Sequence, residues 1–360
     1  MIQGKKVLIM AGGTGGHIFP ALAVAEALIA QGIDVAWLGR AEGMEADIVA
    51  KAELPLLSIQ VGGLRGKGLK RLFTAPWQLL RAWRQASRHL GQWRPNLVLG
   101  FGGYASGPGG MAAFLKRTPL CIQEQNAIPG YTNRILAKMA QKIFTAFPEV
   151  FNTSKTIVTG NPLRQSLLKL APPKKRLANR TGPIRILVLG GSQGAKALND
   201  IIPFALKPAL NQGSIAVRHQ SGNSHYATVL AEYRDIPNVE VMPFIDDMAS
   251  AYDWADLVIA RAGAATISEL AAVGLASILI PYPQAVDDHQ TKNAAYLEHA
   301  GAAQVIPQKN LTVAYLENSL ALKFLQRDVL LTMAEAAYAL GRKDATQMIV
   351  TACLGVLGAK

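Results

Sequence analysis

Short, unbroken apolar runs recur along the chain. Each ends in a glycine or polar turn and is followed by a longer stretch that suits a helix. Strands are predicted at 7–11, 34–38, 96–100, 119–123 and 142–145 in the first half. In the second half they fall at 185–189, 215–219, 239–242, 256–260 and 276–280. Runs without polar alternation fit strands buried on both faces, as in a parallel sheet covered by helices. Strand alternating with helix predicts an α/β class of doubly wound sheets.

The two halves open alike. KKVLIMAGGTGGH (5–17) aligns with PIRILVLGGSQGA (183–195): a basic residue, an apolar strand, two glycines, a hydroxyl residue and a further glycine. Each reads as the first strand and Gly-rich turn of a doubly wound half. Two Rossmann-like domains facing across a cleft are therefore expected. Gly160-Asn161-Pro162 is a turn signal after the strand-like Thr156-Ile157-Val158, and it places the domain boundary there. Later, 172–183 is polar, basic and proline-containing, as a surface connection would be. The helical stretch 344–354 is expected to cross back onto the first domain. The predicted domains are thus 1–161 joined by 341–360, and 162–340.

Composition narrows the partners. Half of the 360 residues are hydrophobic and 17% are charged, which gives each domain a substantial core. A net charge of +13 points to nucleic acid, anionic lipid or phosphorylated small molecules. No helix-turn-helix, zinc finger or RNA-binding aromatic signature is present, so nucleic acid is set aside. Cys121 and Cys353 stand far apart in sequence and suggest neither a disulfide framework nor a zinc site. The N-terminus turns directly into a strand without a signal-peptide core, and no apolar stretch is long enough to span a bilayer. A cytoplasmic protein that can still touch a membrane surface is expected.

Three glycine loops carry the candidate chemistry: AGGTGGH (11–17), GFGGYASGPGG (100–110) and GGSQGA (190–195). Backbone N–H groups exposed between a strand and a helix N-terminus form an anion site. None is a Walker A loop; Gly194-Ala195-Lys196 comes nearest. The first loop has isoleucine at 18 where a dinucleotide fingerprint needs glycine. The second strand ends Trp37-Leu38-Gly39-Arg40, with no acid for a ribose. A dehydrogenase is therefore not expected. Thr14 corresponds to Ser192, but His17 corresponds to Ala195, so the scaffold itself needs no imidazole. His17 becomes a candidate general base, since histidine titrates near neutral pH.

Residues 64–94, LRGKGLKRLFTAPWQLLRAWRQASRHLGQWR, hold eight Arg or Lys and no acid. Leu72, Phe73, Trp77, Leu80 and Trp83 recur at helical spacing among them. A helix packed on the sheet explains part of this pattern. The cations interleaved with Trp and Phe fit an interfacial segment on anionic lipid.

AGGTGGHIFP, GGLRGKG (62–68), GFGGYASGPGG, EQN (124–126), GNPLR (160–164), GGSQGA and RAGAATISELAAVGLASILIPYP (261–283) together resemble the MurG family of glycosyltransferases in order and spacing. The resemblance covers nearly the full chain. It implies a GT-B architecture, with UDP-GlcNAc held chiefly in the C-terminal half and a lipid-linked muramyl-pentapeptide acceptor in the N-terminal half. GlcNAc would pass to the acceptor's C4 hydroxyl with inversion, without a cofactor or an essential metal, and no Asp-x-Asp occurs in the chain.

By the same resemblance, Ser192 and the helix opening at Ala264, Ala265 and Thr266, continuing through Ile267 and Ser268, would meet the donor diphosphate. Glu269 would accept from the ribose diol, and Ile245 would lie against the uracil. Arg164 would stabilise the leaving UDP, and Gln290 would bind sugar hydroxyls. Asn126 and the turn Thr14-Gly15-Gly16 would close over the reacting centre. The base remains open between His17 and Glu124. The family tetrad reads His-Glu-Gln-Asn, whereas this chain has Gln123-Glu124-Gln125-Asn126, which removes residue 123 as a rival base. The implied location is peripheral, on the cytoplasmic face of the inner membrane, with cell-wall synthesis or division proteins as further partners. The competing readings are a diacylglycerol glycosyltransferase, a UDP-GlcNAc epimerase and a non-catalytic nucleotide-sugar-binding membrane protein.

Overall fold

The computed structural model describes residues 4–61, 69–191 and 194–358, with side chains except at 69–75 and 286. Ser192, the whole 62–68 motif and the side chains of Leu72 and Phe73 lie outside the described residues.

Contacts divide the chain into two units, Met1–Arg164 with Lys343–Lys360, and Gln165–Arg342. The strands of the first are β1 (Lys6–Met10), β2 (Asp34–Gly39), β3 (Leu56–Ser58), β4 (Leu97–Gly100), β5 (Leu120–Glu124), β6 (Lys142–Thr145) and β7 (Thr156–Val158). They form one parallel sheet in the order β3-β2-β1-β4-β5-β6-β7. The second unit has β8 (Ile184–Leu189), β9 (Ile215–Gln220), β10 (Val239–Met242), β11 (Leu257–Ala260), β12 (Ala276–Leu279) and β13 (Ala303–Val305). Its parallel order is β10-β9-β8-β11-β12-β13.

The apolar runs are buried on both faces, as their lack of alternation requires. In β1, Val7 and Ile9 face the helix Gly15–Ile29, while Leu8 and Met10 face the helix Leu69–Trp93. That second helix meets the sheet through Ala82, Ala86 and Leu90, a four-residue spacing that lines up one face. The small alanines let it lie close. The helix Ala345–Gly358 covers the other face through Ile349, Val350, Cys353 and Leu357. This brings Cys353 into the same buried cluster as Cys121, with both thiols free.

Two strands, β3 and β13, lie beyond the runs read from the sequence. Each has three residues, too few to show a period. They form because β2 and β12 offer them an unpaired edge.

Candidate active site

In both sheets the strand order reverses beside the first strand, between β1 and β4 and between β8 and β11. Successive connections leave in opposite directions there, opening a crevice at the strands' C-terminal ends. The first two glycine loops follow β1 and β4 at one point, and the described residues of the third, 190–191 and 194–195, follow β8 at the other.

The first two loops touch backbone to backbone. Gly103 has φ +78, and a Cβ there would stand 2.2 Å from the Gly12 carbonyl oxygen. Gly102 has φ +92, and its Cβ would meet the His17 ring at 2.9 Å. The Ser106 hydroxyl accepts the Gly102 N–H at 3.1 Å and lies 2.8 Å from the Gly102 carbonyl. Gln125 Nε2 donates to the Phe101 carbonyl at 2.6 Å, and the Trp37 indole N–H donates to Ala11 at 2.9 Å. The Tyr104 ring lies against Gly12, and its hydroxyl donates to the buried Glu45 carboxylate. Glu45, Tyr104 and Trp37 were not among the sequence candidates. Only the meeting of two distant loops reveals them.

His17 stands in the first turn of the helix Gly15–Ile29, whereas its counterpart Ala195 is the cap residue before the helix Lys196–Asn211. The first helix therefore begins three positions earlier relative to its strand, which carries the imidazole into the helix. Thr14, at the N-cap, makes no capping bond; its Oγ1 lies 3.1 Å from His17 Nδ1.

Glu124 ends β5 and is buried. One oxygen accepts the Asn126 N–H at 3.0 Å and Asn126 Nδ2 at 3.2 Å. The other accepts the Gly130 N–H at 3.0 Å and Asn133 Nδ2 at 2.8 Å. With both oxygens doubly engaged, this carboxylate holds the turn 125–130 in shape. Asn133 Nδ2 also lies 3.7 Å from the Gly102 Cβ position, beside the His17 ring, so it links the neighbourhoods of the two base candidates. Gln123, at the departing position of the tetrad, donates to Asn161 Oδ1 at 2.8 Å. The Arg164 guanidinium stacks on Phe19 at 4.1 Å, and the Phe19 ring packs against Gly15. Thr14, Gly15, Gly16, His17, Glu124, Asn126 and Arg164 thus gather at one edge of the first sheet.

The remaining candidates belong to the second unit. Gly263 caps the helix Ala264–Val273, whose first turn has no acidic residue. Ile267 is buried against the sheet, so it can offer a ligand only its backbone. Ala265, Thr266, Ser268 and Glu269 are partly accessible, and Glu269 accepts from the Tyr252 hydroxyl at 2.9 Å. Ile245 is buried just after β10. Gln290 Oε1 accepts the Tyr282 N–H at 2.8 Å, after a turn in which Asp287 and Asp288 both have positive φ.

A buried polar chain underlies the third loop. Gly194 has φ +75, and its Cβ would meet the Ser221 carbonyl oxygen at 2.3 Å. That carbonyl accepts Asn199 Nδ2 at 2.9 Å, and Asn199 Oδ1 lies 3.1 Å from His219 Nε2. An amide oxygen only accepts, so Nε2 carries the proton and Nδ1 accepts from Tyr233, 3.2 Å away. Burial lowers the His219 pKa to about 4 and raises that of the Tyr233 phenol.

The N-terminal domain of glycosyltransferase family 28 matches residues 7–145, and its C-terminal domain matches 185–349. The UDP-N-acetylglucosamine–N-acetylmuramyl-(pentapeptide) pyrophosphoryl-undecaprenol N-acetylglucosamine transferase of Coxiella burnetii is 51% identical, covering 97% of this chain and 98% of its own. The enzyme of the same name from Pseudomonas paraeruginosa is 50% identical over the same shares. The crystal structure of Acinetobacter baumannii MurG is similar with a TM-score of 0.85 at 41% identity, covering 98% of this chain and 99% of that one.

The chain belongs to the MurG family of glycosyltransferases.

It is an N-acetylglucosaminyltransferase with the GT-B fold. The UDP-GlcNAc 2-epimerase of Neisseria meningitidis, with a TM-score of 0.67 at 14% identity, shares the fold alone.

Gly103→Ala is expected to cost about 3 kcal/mol or more, because it adds a clash with backbone to a positive φ. A thermal melt checks this, and an unchanged midpoint would remove the loop contact from the account. His219 gives a pH signature. Its folded pKa of about 4 lies below the ordinary 6.5, so its contribution is full above pH 6.5. It is lost as pH falls from 6.5 to 4, a difference of about 3 kcal/mol. His219→Gln should flatten denaturant-measured stability across that window; an equally steep acid limb in the variant would contradict this.

Proposed function

We propose that this enzyme transfers GlcNAc from UDP-GlcNAc to the C4 hydroxyl of the muramyl sugar in undecaprenyl-pyrophosphoryl-MurNAc-pentapeptide, with His17 as the base. The observation that carries the assignment is the contrast at the first switch point. Both Glu124 oxygens hold the turn 125–130 through four N–H donors, while His17 stands in the first turn of its helix, with Nδ1 3.1 Å from the Thr14 hydroxyl and its Cδ2–Nε2 edge against Gly102. Nε2 takes the hydroxyl proton as O4 attacks the anomeric carbon opposite the diphosphate. The bond from the anomeric carbon to the phosphate oxygen breaks, and its electron pair leaves with UDP. Arg164 meets that growing negative charge, as do backbone N–H groups at Ala264–Thr266.

Glu269 receives the ribose, Ile245 the uracil and Gln290 the sugar. Residues 14–16 and Asn126 serve the reacting centre. Glu124 acts through the turn that carries Asn126.

The acceptor's polyprenyl chain places the enzyme on the cytoplasmic face of the inner membrane, docked through the first unit. Two features support this. That unit holds 21 Lys and Arg against 9 Asp and Glu, whereas the second holds 16 against 15. The helices Leu69–Trp93 and Ser106–Leu115 pack side by side and leave Trp77 71% and Leu115 58% exposed. Among the described residues no helix is long and apolar enough to cross a membrane.

A transfer assay with UDP-GlcNAc and the lipid-linked muramyl-pentapeptide tests the reaction. His17→Ala should lower kcat by about a hundredfold or more, leaving UDP-GlcNAc affinity within a few-fold. Unchanged turnover would remove His17 from catalysis. Glu124→Gln should cost less, since the amide oxygen keeps part of the turn's bonding.

Docking is read by flotation with anionic vesicles. Wild-type protein should float at low salt and be released as salt rises, and Trp77→Ala should weaken flotation. Binding that ignores lipid charge and salt would exclude the electrostatic component.

A further inference from the structure

Arg261 follows β11 and sits directly before the turn Ala262-Gly263 that opens the helix Ala264–Val273. Its guanidinium does not point toward solvent as a free cation for a phosphate. One nitrogen donates to the carbonyls of Ile280 at 3.1 Å and Pro281 at 3.3 Å, just past β12. The other donates to Gln308 Oε1 at 2.7 Å, and the group lies 5.4 Å from the Tyr282 ring centroid. Carbonyl, amide and ring together hold the residues after β12 at a fixed distance from the end of β11.

The residue so held has a second task. The Tyr282 N–H donates to Gln290 Oε1 at 2.8 Å, and the Tyr282 hydroxyl donates to Gln284 at 2.8 Å. A backbone N–H can bond only the oxygen of the Gln290 amide, so the amide's orientation is set and its Nε2 is the end left to donate. One turn along the helix His289–Glu298, the buried Asn293 donates to the Ala262 carbonyl at 3.3 Å. Gln290 and Asn293 are three apart and share a helix face. The diphosphate turn and the sugar-facing glutamine are therefore tied together from both sides.

We propose that Arg261 is a positioning residue for donor-sugar selectivity: by clamping Ile280–Tyr282 it fixes the Tyr282 amide that orients Gln290 as a hydrogen-bond donor to the sugar. This rests on the reading of Gln290 as the sugar-binding residue. Arg261 touches no reacting atom; it acts through Tyr282. Rotation of the Gln290 amide would present an oxygen where a nitrogen belongs. Sites built to hydrogen-bond a hydroxyl discriminate strongly when that pairing is right and weakly when it is lost.

The experiment compares kcat/KM for UDP-GlcNAc with that for UDP-GalNAc, its C4 epimer, together with inhibition by UDP. In Arg261→Gln the preference for UDP-GlcNAc should fall by about tenfold, while the UDP inhibition constant stays within about twofold. Thermal melts establish that the variants are folded. Tyr282→Leu keeps the backbone amide but removes the ring under the guanidinium, so it should lower the preference in the same direction and by less. Arg261→Lys, which keeps charge but not the fork, should behave like the glutamine variant. Preference within about twofold of wild type in folded Arg261 and Tyr282 variants, with Gln290→Ala still lowering it, would overturn the proposal. If Gln290→Ala itself leaves the preference unchanged, the reading of Gln290 fails and the proposal falls with it.

Discussion

The contact between Gly103 and the Gly12 carbonyl organises the first unit's working edge. Loops separated by ninety residues of sequence run against each other with no side chain between them. That approach brings Gly102 under the His17 ring, Tyr104 onto Gly12 and Glu45 onto Tyr104. Any residue with a Cβ at 103 would push the β4 loop away from β1, and the imidazole would lose the surface it rests on. Glycine is costly to order, and here the cost follows from a backbone that must reach another backbone.

The two units use one scaffold for different electrostatic tasks. Both present a glycine turn and a helix N-terminus at a switch point, so both can face a diphosphate. The charge excess belongs to the first unit alone, and so does the histidine in the first helical turn. The second unit instead invests in rigidity below and beside its loops. The Asn199–His219–Tyr233 chain supports the Ser221 carbonyl, and the Arg261 clamp fixes the turn that faces Gln290. A mobile lipid-linked acceptor calls for charge and surface. On the proposed reading, a small sugar told from its epimers calls for fixed donors.

The division between the base candidates shows how a site becomes legible in stages. From residue types alone, Glu124 and His17 are equivalent proton acceptors, because a carboxylate and an imidazole both suit the task. The four N–H donors around Glu124, on which the proposed choice of His17 rests, come from Asn126, Gly130 and Asn133, which a linear reading cannot bring together. Asn133 was invisible for the same reason. It lies inside an ordinary helical stretch, and only the packing of the helix Tyr131–Ala137 turns its amide to Glu124.

The α/β class, the central strands of both sheets, the positions of the three glycine loops and the family are all legible along the chain. Each of these is written locally: strand burial in unbroken apolar runs, turns in glycine, function in ordered motifs. Tertiary structure alone decided the edge strands β3 and β13, the burial of Ile267 within a predicted binding stretch, and the pairing of Cys121 and Cys353 in one cluster. It also decided the contacts of Glu45, Tyr104 and Arg261. Their significance lies in which distant carbonyl, carboxylate or ring they meet, and a meeting between remote segments leaves no period or spacing along the chain.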